Sequence, residues 1–119
     1  VRGLRAGREV ACTDGTQRPD YLYADDLGRA LALLLGSPAE GAVNVGAGQA
    51  IAVRDLIGEV ARQMGRPGLV RLGARPRAAG DPDELRADVA RLTAATGFRP
   101  AFSLQAGVAA LLRAEGGGA

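Results

Sequence analysis

The chain has 119 residues, 47% of them apolar and 24% charged, which suits one globular domain with a modest core and excludes a disordered chain. All 15 basic residues are arginine and histidine is absent, so the usual metal-ligand clusters and lysine- or histidine-based acid–base chemistry are excluded. The formal net charge is only +2, and the single cysteine, Cys12, cannot form an internal disulfide.

Signals for a membrane or for secretion are absent from the sequence. It has no run of about eighteen apolar residues that would suggest a membrane span, and no apolar signal-peptide core follows its first residues, VRGLR. We therefore expect a cytoplasmic protein. The arginines are scattered from Arg2 to Arg113, and the few aromatic rings offer little to stack on bases, which disfavours a nucleic-acid binder.

The predicted elements begin with short segments. Residues 1–6 are typical of the end of a helix that Gly7 stops, and residues 9–12 of a short strand. Asp14 and Gly15 then form a turn signal.

A strand and a helix are predicted next. Residues 21–23, Tyr-Leu-Tyr, suit a pleated surface, and either Asp25 or Asp26 is placed to cap a helix that begins at Leu27. The helix is predicted to end at Gly36. Its apolar stripe comprises Leu27, Ala30, Leu31, Leu34 and Leu35.

The middle of the chain contains the clearest helical pattern. Residues 42–45 are predicted to form a buried strand in which Asn44 hydrogen-bonds. The following helix is stopped at Gly65, and a candidate strand lies at residues 69–72. The helix places one continuous face in the core, formed by Val53, Leu56, Ile57, Val60, Ala61 and Met64.

The C-terminal third is predicted to contain a loop and two helices. Residues 73–83 are rich in Gly, Pro, Ala and Arg and indicate the loop. Asp88 can cap a helix that Gly97 closes, and Ser103 can cap the last helix. The glycines at 116–118 are expected to be frayed.

Three stretches, in order, carry a family resemblance. Residues 14–27 read DGTQRPDYLYADDL, residues 41–48 read GAVNVGAG, and residues 80–104 contain GD, a later Asp, and TGFRP before SL. They resemble the motifs DGTxxRDYxYVxDL, fNiGsG and GD…aD…lGw.P..sl of the extended short-chain dehydrogenases/reductases that modify nucleotide sugars, the NAD-dependent epimerase/dehydratase family. This chain has Pro19 where the first motif has arginine, and its arginine stands one place earlier, as Arg18.

The resemblance implies an α/β fold: the C-terminal part of an extended short-chain dehydrogenase, with short strands and about four helices, lacking the N-terminal Rossmann half. Residues 1–119 would then be a single substrate-binding portion. The family's glycine-rich loop and Tyr-x-x-x-Lys pair are not present, since Asp25 and Leu27 follow four places after the two tyrosines. We therefore expect a fragment without catalytic residues, whose parent is an oxidoreductase, isomerase or lyase that uses NAD or NADP and can form a homodimer.

The resemblance also implies which residues hold the substrate. In the family, arginines from two segments grip the diphosphate of a nucleotide sugar; the nearest here are Arg18 and Arg77, with Arg75 beside the latter. Arg77 lies one place before the family position, which Ala78 occupies. Cys12 aligns with the segment along the nucleotide base. The alternatives are a solvated turn residue for Arg18 and a buried inert thiol for Cys12.

Two other polar features are given structural interpretations. Residues 46–48, Gly-Ala-Gly, mimic the start of a dinucleotide-binding fingerprint, but the third glycine and the later acidic residue are missing, which favours a tight turn. Asp20 is expected to satisfy backbone amides in its own turn, and Asp25 and Asp26 to be helix caps rather than an acid–base couple.

Three functional hypotheses follow. The first is the substrate-binding C-terminal part of a nucleotide-sugar epimerase, dehydratase or ketoreductase. The second is a stand-alone binding or regulatory domain derived from that family, and the third is an arginine-rich nucleic-acid binder.

Overall fold

The structure is a computed structural model that describes residues 1–117 and shows an α/β fold. That range contains five α-helices, one 3₁₀ helix (Pro67–Leu69) and four two-residue strands. One predicted detail, the frayed glycine tail, is only partly covered, because the last helix includes Gly116 and Gly117 whereas Gly118 lies outside the described residues. In chain order the elements are α1 (Arg2–Arg5), β1 (Val10–Ala11), β2 (Arg18–Pro19), α2 (Ala24–Leu35), α3 (Val53–Gln63), β3 (Val70–Arg71), β4 (Glu84–Leu85), α4 (Ala90–Thr96) and α5 (Leu104–Gly117).

The strands form two parallel pairs. β1 pairs with β3, with Val10 opposite Val70, and β2 pairs with β4, with Arg18 opposite Glu84. A parallel pair requires a long crossover, and here α2 and α3 lie between β1 and β3 in the chain. The strands predicted at residues 9–12 and 69–72 are confirmed as the first pair, whereas neither strand of the second pair, β2 or β4, was predicted.

A small apolar core lies between α2 and α4. Ala30 and Leu92 are fully buried, and Phe98 is 3% exposed. α3 packs against α5, which buries Ala61 and Val108. The residues packed around the first cluster are Leu22, Leu34, Val43, Val45 and Val89.

The predicted helix ends are largely confirmed. α4 ends at Gly97, which adopts the left-handed conformation (φ 69°) that favours glycine. Ser103 Oγ accepts a hydrogen bond from the amide of Ala106 at 3.1 Å, as predicted for the cap of α5. Asp88 Oδ1 accepts one from the amide of Ala90 at 3.1 Å, but Val89, not Asp88, holds the N-cap position of α4.

Two predicted strands are wrong. Residues 21–23 and 42–45 have no strand structure. Near them, the structure contains only one isolated antiparallel bridge, between Asp20 and Ala50. Asn44 is exposed rather than buried, and its side-chain amide donates to Asp88 O at 3.4 Å. Both segments contain aromatic, apolar or β-branched residues that favour strands, but a strand also needs a neighbouring backbone to pair with.

The start of α2 also differs from the prediction. The helix begins at Ala24, and no side chain caps its N-terminus, so Asp25 and Asp26 lie in its first turn and are not caps. Its buried face contains Ala30 and Asp26. Three leucines of the predicted stripe are exposed by 41%, 48% and 89%, namely Leu27, Leu31 and Leu35.

Within residues 1–117, no helix combines the length and the apolar character that a bilayer crossing requires.

Candidate functional site

The carboxylate of Asp20 connects three segments of the chain. Its Oδ1 accepts a hydrogen bond from the amide of Ala47 at 2.9 Å, and its Oδ2 accepts from the amides of Gly48 at 2.9 Å and Ala87 at 3.1 Å. The prediction that Asp20 serves its own turn is therefore wrong. Hydrogen bonds to a carboxylate are among the stronger ones in proteins, so Asp20 fixes the 46–48 turn beside the segment that leads to α4.

The 46–48 turn is closely packed and has no room for a dinucleotide. A Cβ on Gly46 would lie 2.8 Å from the Cβ of Ala87 and 3.0 Å from Asp20 Oδ2. A pyrophosphate would need the turn's free amides, but the amides of Ala47 and Gly48 already bind a carboxylate. The described residues of this turn do not fit the pyrophosphate of NAD(P), in agreement with the sequence interpretation.

The N-terminus of α3 is held by the segment after the Asp14-Gly15 turn. The amides of Val53 and Arg54 donate to the carbonyls of Gln17 and Gly15, each at 2.9 Å. Gly15 has φ 69°, and a Cβ there would lie 2.6 Å from the Cβ of Arg54. This close approach requires glycine and fixes the position of Arg54.

Arg77, the first predicted phosphate ligand, is engaged in contacts within the chain. Its guanidinium forms ion pairs with Asp83 at 3.2 Å and Asp81 at 3.6 Å, and Nη1 donates to Thr16 Oγ1 at 3.3 Å. Nη2 donates to the carbonyl of Asp81 at 3.2 Å. The side chain is 23% exposed, so Arg77 connects the 81–83 loop to the Asp14–Thr16 turn.

The other predicted ligands lie nearby but are not brought to one point. The exposed Arg75 donates its backbone amide to the carbonyl of Cys12 at 3.1 Å. Cys12 is half-buried, and its Sγ lies 3.8 Å from Val10 O. Neither residue lines the grooves described next, whereas Arg18 does. A role of Cys12 at a nucleotide base stays a prediction.

A polar groove of about 370 Å³ contains two arginines. It lies between the β2 segment and the start of α3, and one carboxylate, that of Asp55, also lines it. Arg54 was not predicted as a site residue, because its position in the helical pattern gave no signal of a ligand. The lining residues are Thr16, Arg18, Gln49, Ala50, Ile51, Ala52, Arg54 and Asp55.

A larger, mainly apolar groove of about 690 Å³ adjoins it. The rings of Tyr23 and Phe102 lie with centroids 4.5 Å apart, and burial raises the pKa of Tyr21. None of the described residues that line this groove is charged. The two grooves share Gln49 and Ile51, so a cationic surface continues into an apolar one.

Asp26 positions the loop that forms one wall of the apolar groove. It is 1% exposed and accepts hydrogen bonds from the amides of Ala101 at 3.0 Å and Phe102 at 3.1 Å, and from Arg29 at 3.3 Å. Burial raises its pKa, but these hydrogen bonds and the charge of Arg29 outweigh burial, so the pKa lies below its usual value. Arg29 also lies over the ring of Phe98, 4.6 Å from its centroid.

Neither Asp25 nor Asp26 belongs to an acid–base pair, since Asp26 is committed to backbone amides and Asp25 lies exposed on α2. Among residues 1–117, no cluster of three or more potential ligands is placed to hold a metal ion.

No protein-family model and no curated protein matches the sequence. Solved structures do match. UDP-glucose 4-epimerase from Thermotoga maritima, solved with UDP-glucose, is 26% identical with a TM-score of 0.77, and the match covers 96% of this chain and 38% of that one. RMD from Pseudomonas aeruginosa, complexed with NADPH, is 25% identical with a TM-score of 0.74, covering 92% and 37%.

A third match is MoeE5 in complex with UDP-glucuronic acid and NAD, at 31% identity and a TM-score of 0.73, covering 91% of this chain and 38% of that one. The chain thus spans less than two-fifths of the length of the proteins it matches. The similarity extends over nine-tenths of its own length and agrees with the three sequence motifs. The chain therefore has the fold of the C-terminal part of the extended short-chain dehydrogenases/reductases, the family that its three sequence motifs resemble.

Proposed function

We propose that the chain is the substrate-binding portion of an NAD(P)-dependent nucleotide-sugar epimerase, dehydratase or 4-ketoreductase, and that it has no catalytic activity alone. The observation that carries this proposal is the junction of the two grooves at Gln49 and Ile51. A nucleotide sugar combines an anionic diphosphate with a base and sugar that offer flat, less polar faces. A cationic groove that continues into an apolar one matches that distribution of chemistry.

The structural relatives support the ligand class. UDP-glucose, UDP-glucuronic acid, NAD and NADPH are the ligands named for the three solved proteins described above. We propose a nucleoside diphosphate sugar as the ligand of this chain. The nicotinamide cofactor, which would supply hydride transfer, is assigned to a separate nucleotide-binding half, because the 46–48 turn offers it no free amides.

The surroundings of the two tyrosines support the second part of the proposal. The two phenols, Tyr21 and Tyr23, lie in the apolar groove, and burial raises the pKa of Tyr21. A catalytic tyrosine needs the opposite shift, which a neighbouring cation supplies, and within residues 1–117 no charged residue lines that groove.

The proposal is tested by titrating the ¹⁵N-labelled 119-residue chain with UDP-glucose and UDP-glucuronic acid and recording amide chemical shifts. We expect saturable shifts centred on Gln49 and Ile51, and none with glucose alone. NADH and NADPH should not be oxidised under the same conditions. The absence of shifts at millimolar UDP-sugar, or turnover of NAD(P)H, would contradict the proposal, and salt-sensitive binding of duplex DNA without UDP-sugar binding would favour the nucleic-acid hypothesis.

A further inference from the structure

The arginines around the polar groove differ in how far they are already paired. The ion pairs of residues 1–117 involve Arg5, Arg29, Arg62, Arg71 and Arg77. Arg18 and Arg54 line the groove, and within the described range neither guanidinium forms an ion pair or a hydrogen bond. These two side chains therefore have donors available for an anion, whereas Arg77 donates to Asp83, Thr16 and two carbonyls.

The backbone of Arg54 is placed beside this groove by contacts that do not involve its charge. Its amide donates to Gly15 O at 2.9 Å, and the preceding amide donates to Gln17 O at 2.9 Å. These bonds join the start of α3 to the segment that carries Thr16 and Arg18. The nearby charges of Arg77 and Arg54 contribute to lowering the pKa of Asp14, after the larger effect of hydrogen bonds from Thr16.

The first backbone amides of α3 are not free to bind an anion in the polar groove. The first two amides of α3 are used by carbonyls of the 15–17 segment, so an anion in the groove would depend on side chains. A guanidinium donates through a planar fork, which suits the oxygen atoms of a diphosphate. The carboxylate of Asp55, which lines the same groove, would repel such a ligand.

We propose that Arg54, which lies outside the motifs shared with the family, binds the diphosphate of the nucleotide ligand together with Arg18. The inference rests on the proposed function, because it assigns a ligand-binding residue to the same site. Arg77, whose charge is matched by Asp81 and Asp83, holds the neighbouring turn and loop in place.

The experiment is calorimetric titration of the 119-residue chain with UDP and with inorganic pyrophosphate at low ionic strength, at which charge contacts are least screened. Arg54→Ala is expected to weaken binding of both probes by about tenfold to a hundredfold. Arg54→Gln, which keeps much of the apolar stem, should show the same loss. Thermal unfolding of each variant shows whether it remains folded.

Two further variants separate a specific contact from a change in net charge. Asp55→Asn removes the repelling carboxylate and should tighten binding of both probes a few-fold. Arg66→Ala removes the same charge as Arg54→Ala from an exposed position beyond the C-terminal end of α3, and it should bind both probes as the parent does.

The outcomes distinguish the inference from the function on which it rests. If UDP binds and the folded Arg54→Ala variant binds it as tightly as the parent, the assignment of Arg54 is wrong while the proposed function stands. If pyrophosphate binding depends on Arg54 but UDP binds no better than pyrophosphate, the anion site stands and the nucleotide-sugar function is wrong. If no probe binds the parent chain, both are overturned.

Discussion

Two aspartates bind backbone amides that are far from them in the sequence. The amides held by Asp20 lie 27, 28 and 67 residues away, and those held by Asp26 lie 75 and 76 residues away. Each carboxylate therefore holds a later turn or loop against the earlier segment that carries the aspartate. Both grooves on which the proposed function depends include residues at or next to these contacts.

Asp20→Asn is predicted to lower the free energy of unfolding by about 3 kcal/mol. A neutral amide replaces a carboxylate that accepts three hydrogen bonds, and its NH₂ group faces amides that can only donate. Urea unfolding measures the loss. Asp25→Asn, at an exposed position, is the control and should unfold as the parent does; an equal loss in both variants would show that the amide contacts of Asp20 do not stabilise the fold.

The pKa of Asp26 predicts a loss of stability in acid. Because this pKa is lowered in the folded state, the stabilisation is fully present above the unfolded value of about 4 and is lost as the pH falls through the folded value. Glu59, whose pKa falls to about 2 through hydrogen bonds from Arg62 and Gln63, contributes in the same window. Urea unfolding between pH 7 and pH 2 measures the profile.

Asp26→Asn should be less stable than the parent at neutral pH and should lose less stability below pH 4. Asp25→Asn, the adjacent exposed residue, should keep the steeper acid dependence of the parent. If Asp26→Asn retains the full dependence, the carboxylate of Asp26 is not a source of the acid sensitivity.

At the level of elements, local signals predicted the helices and missed the contacts between segments. The apolar spacing of α3, the glycine that ends α4 and the Ser103 cap all act within a few residues, so the sequence contains them in full. The strands predicted at residues 21–23 and 42–45 required pairing partners, and the single bridge at Asp20 shows how short that pairing is.

The same difference between local signals and contacts between distant segments explains which residues of the candidate site could be predicted. Arg18 was singled out because a family motif has arginine one place later, and the structure places it in the polar groove. Its role as a phosphate ligand stays a prediction. Arg54 belongs to no such motif. It lies beside the groove because α3 approaches Gly15, which is 39 positions earlier in the chain, and the helical pattern gives no sign of that approach. The pairing of Arg77 with Asp81 and Asp83 depends on a loop conformation that its composition does not specify.

Gly15→Ala is predicted to destabilise the chain by about 2 kcal/mol or more. The residue has φ 69°, and its new Cβ would lie 2.6 to 2.8 Å from the backbone and Cβ of Arg54. Thermal unfolding measures the effect. A variant as stable as the parent would show that α3 can move away from the turn without cost.

Gly58→Ala in α3 is predicted to have the opposite effect. Apart from its chain neighbours and the backbone of its own helix, no atom lies within 4 Å of the added Cβ. Alanine is favoured over glycine in a helix interior by about 1 kcal/mol. The midpoint of thermal unfolding should therefore rise. A lower midpoint would mean that the added methyl group clashes with a neighbouring atom.

At the level of the whole molecule, the chain is flat and exposes more surface than its mass implies. Its extents are 49 × 37 × 17 Å and its radius of gyration is 16.5 Å, against about 13.5 Å for a compact domain of this length. Its accessible surface is 7483 Å², against about 6,000 Å² for a folded protein of this mass. The excess accessible surface is larger than the area that one partner buries in a standard protein interface.

This shape predicts that the isolated chain is marginally stable or self-associates, because the leucines on α2 and the apolar groove remain in contact with water. Light scattering over a range of concentrations should show a mass above that of the monomer, and thermal unfolding should occur at low temperature or over a broad range. A monodisperse monomer with a high, cooperative unfolding temperature would contradict the prediction.

The long-range contacts of Asp20 also affect the kinetics of the fold. A contact that closes loops of 27 and 67 residues must overcome more chain entropy than the turns within α3 or α5, so it should form late, after the transition state for folding. A change at such a position acts mainly on the unfolding rate. Asp20 would then determine how long the folded chain persists and have little influence on how fast it forms.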